Sequence, residues 1–200
     1  MTEEVKQTTM QENRVKPTLD DYKTIKTYED ACEALGEKPY LNEIQGTTLY
    51  SSGEGKEIQM ILPKSVIAFM KLETIARALH GRDFEPYPFA KKGGTYKDYW
   101  YPYFTCFTKE ELEKMSIKNI KDKRILKITD WYGPDDCVYD SAGAGFGYAN
   151  SWYVCTYTTV NRGSRLCQES EAKAEYFGKQ FIELWAAYRG FETDGFFIEQ

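Results

Sequence analysis

From Ser170 to Tyr188 the apolar residues Ala174, Phe177, Phe181, Leu184, Trp185 and Tyr188 recur at steps of three and four, with Glu175, Lys179 and Glu183 between them. That period winds the apolar side chains onto one side of a helix. A stripe with this many aromatic rings is strongly driven out of water, so the chain must supply a second layer to cover it. Ser170 offers an N-cap oxygen and Gly190 a stop. The reading is a long C-terminal amphipathic helix.

The covering layer is read as strands. Tyr99 to Phe104 is aromatic on both faces, and Pro102 within it has no amide hydrogen, which places that strand at an edge or interrupts it. Arg124–Ile128, Cys137–Tyr139, Gly145–Tyr148, Trp152–Thr159 and Ser164–Cys167 also read as strands, with Trp131 to Asp136 and Asn161-Arg-Gly163 as turns. Upstream, Thr27-Tyr-Glu-Asp30 is a capping-box start for a short helix that Gly36 closes. Pro63 to Leu79 is a helix with a wide apolar stripe ended by Gly81, and Thr108 to Glu111 opens another short helix to about Met115. Thr47–Tyr50 and Ile58–Leu62 are strands or irregular segments. The fold class expected is α+β, an antiparallel sheet covered on one face by helices. Residues 1–17 are read as a flexible polar tail, 18–190 as one domain and 191–200 as a C-terminal tail. In that tail Phe196-Phe-Ile198 either docks as a short final strand or stays loose.

Chemistry is limited by what the chain contains. His80 is the only histidine in 200 residues, so any Cys-His, Ser-His or His-metal site must use it. It stands at the end of a helix, where it is either a general base or, the reading preferred here, a cation favoured by the carbonyl end of the dipole. The five cysteines form no C-x-x-C, and the reading is reduced thiols in a cytosolic compartment. Asp130, Asp135 and Asp136 have turn chemistry around them rather than a ligand pattern. Gly143-Ala-Gly-Phe-Gly147 fails G-x-G-x-x-G at Tyr148 and is followed by aromatic residues instead of a helix. No enzyme, cofactor or metal is expected. Met1 to Lys16 has no apolar centre, so it is not a signal peptide, and no apolar run is long enough to span a membrane.

Surface recognition is what remains. Sixteen Tyr, eleven Phe and four Trp are many for this length, and such rings serve both cores and contact surfaces. The net charge of −5 argues against a broad basic DNA-binding face. The preferred reading is an aromatic core beside a solvated lysine face; the alternative is a local platform of Trp131, Tyr132, Phe146, Tyr148 and Trp152, bordered by Lys121, Lys123, Arg124, Arg162 and Arg165. Gly145 to Tyr148 matches part of an RNP1 pattern, and small residues between exposed aromatics make a surface on which bases stack. The partner expected is a protein, with single-stranded nucleic acid as the alternative.

Several blocks carry a resemblance. They are Tyr28 to Gly36, Ala78-Leu79, Tyr101 to Phe104, Gly145 to Tyr148, Gly163-Ser-Arg-Leu-Cys167 and Ala174 to Trp185. In these the chain resembles a group of small uncharacterised proteins encoded by phages, prophages and mobile elements of gut Bacteroidetes. It departs from the group at Gln168-Glu169, where Phe-Lys is expected. The resemblance implies a viral or mobile-element origin and a place in the cytoplasm of a bacterial host or in the virion. It carries over no catalytic or binding residue.

Overall fold

The computed structural model describes residues 14–42, 47–50, 57–60, 62–82, 98–131, 145–155 and 164–198. Helix α1 (Tyr28–Leu35) opens on the expected capping box: Thr27 Oγ1 accepts from the Asp30 amide, and the Asp30 carboxylate accepts from the Thr27 amide. Gly36 closes it at φ 71°, a conformation that a side chain disfavours. Strands β1 (Thr47–Tyr50) and β2 (Glu57–Met60) pair antiparallel. Helix α2 (Lys64–His80) ends at Gly81. Then follow β3 (Asp98–Phe107), α3 (Lys109–Lys114), α4 (Ile117–Asp122), β4 (Leu126–Trp131), β5 (Gly145–Cys155), α5 (Glu171–Gln180), α6 (Ile182–Tyr188) and β6 (Phe191–Phe196).

The α+β class holds. The main sheet is antiparallel in the order β3-β5-β4-β6. β3 is an edge strand, the place Pro102 requires. Helices α5 and α6 lie on one face of the sheet, and α2 with α1 packs over them as a third layer. The main core joins Leu72, Ile75 and Leu79 of α2, Phe177 and Trp185 of the middle layer, and Leu126 and Phe146 of the sheet.

Several expectations are corrected. The C-terminal helix is not one long element: it breaks at Phe181 (φ −111°, ψ 29°), whose side chain is buried. The break lets α5 lie over β3 and β5 while α6 lies over β6 and against α2. Residues 191–196 are not a tail; they dock as strand β6 on β4. Gly145 and Trp152 belong to one continuous strand rather than two. Ser164–Leu166 is a 3₁₀ turn instead of a strand, and only Gln168 bridges to Trp100. Helices occupy part of the second face too. There Phe107, Leu112, Ile120 and Ile125 form a smaller core with Met115, Phe197 and Ile198.

The lysine-rich segment shows how this second core is closed. Arg124 does not begin a strand; it ends α4 in the left-handed region (φ 50°). The Ile125 amide then donates to the Ile120 carbonyl, and the two isoleucines pack together. This is a helix-ending motif with a hydrophobic contact, completed by an Arg at the position glycine usually fills. At the N-terminal side, Arg14 pairs with the buried Asp30 carboxylate, while residues 1–13 lie outside the described residues.

Candidate functional site

Around Gly145 to Tyr148 the aromatics are core, as the preferred reading has it, and the alternative platform does not form there. Phe146 and Tyr148 are buried under α5 and α6. Phe146 stacks on Phe104 with ring centroids 5.0 Å apart, and the Tyr148 hydroxyl shares a 2.8 Å hydrogen bond with Ser151 Oγ. The intervening glycines serve packing on the other face. A Cβ on Gly145 would come 2.5 Å from Ile125 Cγ2, and one on Gly147 would come 2.8 Å from Ile125 Cγ1. The small residues therefore admit the second core and leave no flat surface for bases.

Trp152 stands differently. It is 57% exposed, and its neighbour Tyr153 is 47% exposed. Both side chains are therefore uncovered on the β3–β5 ladder, although Tyr99 and Ser151 near them are buried. Their ring planes lie within 7° of parallel with centroids 6.2 Å apart, and Trp100 sits 5.5 Å from Tyr153. Tyr153 was not singled out in the sequence, because alternation alone assigns one of two neighbours to the interior.

The basic residues do not converge on this end. Lys121 is exposed on α4. The Lys123 ammonium lies 6.0 Å from the Phe107 ring centre, and the Arg124 guanidinium lies 4.9 Å from that of Phe196. Arg165 pairs with Glu73 on α2 at 2.9 Å. Trp131 ends β4, but its side chain lies outside the described residues, as do Tyr132 and Arg162.

His80 is buried, and its Nε2 lies 2.7 Å from the Cys167 carbonyl oxygen. A carbonyl only accepts, so Nε2 carries the proton and α2 is fastened to the Cys167 backbone. This replaces the expected exposed dipole cap. Burial holds the imidazolium form below the usual histidine range. The unfolded chain therefore binds the proton first as pH falls. The stability contribution is full above the unfolded pKa, near 6.5, and is lost as pH falls through that value towards the folded one. Because His80 is the sole histidine, the one imidazole signal pair in a proton NMR titration is expected to titrate below pH 6.5. In thermal melts, His80→Gln is expected to flatten the stability profile between pH 7 and 5; an unchanged slope would refute this.

Gln168 is fully buried, and neither its Oε1 nor its Nε2 has a hydrogen-bond partner among the described residues. An orphaned buried amide costs more than an apolar group of the same shape. Gln168→Met, which keeps the backbone bridge to Trp100, is expected to stabilise by about 1–3 kcal/mol in urea denaturation. A loss of stability would show that the amide is satisfied in solution.

A cavity of about 380 Å³ lies between α4 and α5, floored by Ala149, Asn150 and Ser151 of β5. Among the described residues no cluster of His, Cys, Asp and Glu is arranged to hold a metal ion, and no helix is long and apolar enough to cross a membrane. The described residues thus define an α+β domain whose edge ladder, β3–β5, carries an exposed Trp-Tyr pair. No protein-family model, curated protein or solved structure matches the chain.

Proposed function

We propose that the chain is a non-enzymatic binding protein of a phage, prophage or related mobile element, which docks a protein partner in a bacterial cytoplasm or on the virion. The observation that carries this reading is the exposed Trp152–Tyr153 pair on a paired strand. Large rings on a rigid element present contact area at low entropic cost, and such residues anchor protein interfaces. The acidic net charge and the dispersal of Lys123, Arg124 and Arg165 onto separate partners favour a protein over a polyanion. The near-parallel rings favour the second reading, single-stranded nucleic acid stacked on the same pair.

The test places a photo-crosslinking amino acid at Asn150, exposed beside Trp152, and at Ile117 as a remote exposed control, in cells carrying the element. A discrete protein adduct is expected from position 150 and not from 117. Adding Trp152→Ala and Tyr153→Ala together is expected to reduce it at least about tenfold with little change in melting temperature. No adduct, or one insensitive to both changes, refutes the docking reading. Saturable tryptophan quenching by a mixed-sequence single-stranded oligonucleotide, weakening steeply with salt, would put the nucleic-acid reading in its place.

A further inference from the structure

A cavity of about 710 Å³ lies where α2 begins, α6 ends and β6 starts. That size falls within the range of small-molecule sites, roughly 300–1,000 Å³. The cavity shares no residue with the Trp152–Tyr153 pair. Its walls are held by the core. Gly190, at φ 85°, turns the chain from α6 into β6. Tyr188, before that turn, packs its ring 5.5 Å from that of Phe69 on α2 and 6.0 Å from that of Trp185. Phe191, after it, stands opposite Trp131 in the β6–β4 register, with its ring 5.3 Å from that of Phe146. Both residues line the cavity as parts already fixed by packing, which lowers the ordering cost of taking a ligand.

The charges of the lining are unevenly matched. Lys64 and Glu192 pair at 2.6 Å and neutralise each other. Glu183 lies within electrostatic reach of the Arg124 guanidinium. Arg189 is the lining cation that has no ion pair among the described residues. Its guanidinium lies 5.7 Å from the Tyr188 ring centre. From α2, Ser65 adds an amide and a hydroxyl, neither bonded to a described residue. The Val66 and Ile67 amides both donate to the Pro63 carbonyl, and Pro63 supplies no side-chain cap. A helix start by itself is met by water. This one shares a walled cavity with an unneutralised guanidinium and two aromatic residues.

We infer that this cavity binds a small organic anion that carries one carboxylate and a flat apolar body. The carboxylate meets the Arg189 guanidinium and the Ser65 amide and hydroxyl, and the body lies against Tyr188 and Phe191. One unneutralised cation matches one negative charge. Glu183 and Glu192 in the same lining oppose a dianion such as a phosphate monoester, because like charges brought together cost free energy. The site is independent of the protein-docking reading and stands or falls without it.

The test titrates phenylacetate into the full-length chain by calorimetry and follows backbone amides by heteronuclear NMR. Saturable binding is expected, with shifts at Ser65 and at Ala187 to Thr193 and none at Trp152 or Tyr153. Phenylacetamide keeps the ring and loses the charge, and acetate keeps the charge and loses the ring. Each is expected to bind at least about tenfold more weakly, the loss of one charge-assisted contact or of one buried ring. Inorganic phosphate is expected to bind more weakly than phenylacetate. Arg189→Gln is expected to weaken phenylacetate at least about tenfold. The ligand series uses the unaltered chain, so it decides the matter even where that variant fails to fold. No saturable binding at millimolar phenylacetate, shifts elsewhere than this corner, equal binding of phenylacetamide or acetate, tighter binding of phosphate, or a folded Arg189→Gln variant that binds as the parent does each overturns the inference.

Discussion

Trp185→Ala is expected to destabilise the protein by about 3–5 kcal/mol, the range for truncating a large buried aromatic. Trp185 is 3% exposed at the meeting point of all three layers. Its ring lies 5.1 Å from Phe104 of the sheet, 5.1 Å from Phe177 of α5 and 6.0 Å from Tyr188 of its own helix. Its indole nitrogen donates to the Phe177 carbonyl at 3.3 Å. Truncation leaves a cavity between layers that cannot close without sliding α5 and α6 over the sheet. It also leaves that carbonyl without its donor across the helix break at Phe181. For a chain of this size the loss corresponds to a fall in melting temperature of roughly 6–20 °C, read by circular dichroism. A fall equivalent to less than about 1 kcal/mol would show that the layers are not joined through this ring.

Gly178→Val is expected to cost about 1–3 kcal/mol, by overpacking instead of by cavity formation. Ordinarily, replacing a mid-helix glycine with a residue of better helix propensity gains stability. Here the gain is outweighed. A Cβ at position 178 would come 2.6 Å from Pro102 Cβ and 2.9 Å from Tyr148 Cδ2, and neither ring can turn aside. The glycine sets how closely α5 approaches β3 and β5. Forcing α5 outward would disturb Tyr148 and the Ser151 hydroxyl bonded to it. Chemical denaturation of Gly178→Ala and Gly178→Val, expected to be destabilising in rising order, checks this. A stabilised alanine variant would mean that the helix–sheet spacing relaxes freely.

Elements defined by neighbours in sequence were legible. The capping boxes at Thr27 and Thr108, the stop at Gly36 and the span of α2 depend on hydrogen bonds made within a few residues. So did the edge position of Pro102, because a missing amide hydrogen excludes a central strand whatever lies around it. The candidate site was legible only in part. Trp152 was singled out and is exposed, but Phe146 and Tyr148 were singled out with it and are core. The same Gly-aromatic-Gly-aromatic pattern serves an open platform or a packed ladder. The difference lies in Ile125, Leu112 and Phe107, which arrive over the glycines from elsewhere in the chain.

The chain's own period determined that an amphipathic helical stretch must be covered by another layer, since its stripe of aromatic rings is strongly driven out of water. Tertiary structure alone decided that this stretch breaks at Phe181, that residues 191–196 become a strand, and that β4 pairs with β5 only at Gly145 and Phe146. The first two are settled by long-range contacts whose energies exceed local preference, burial of Phe181 and backbone pairing of β6 with β4; the third follows the helix-ending turn at Arg124 that precedes β4.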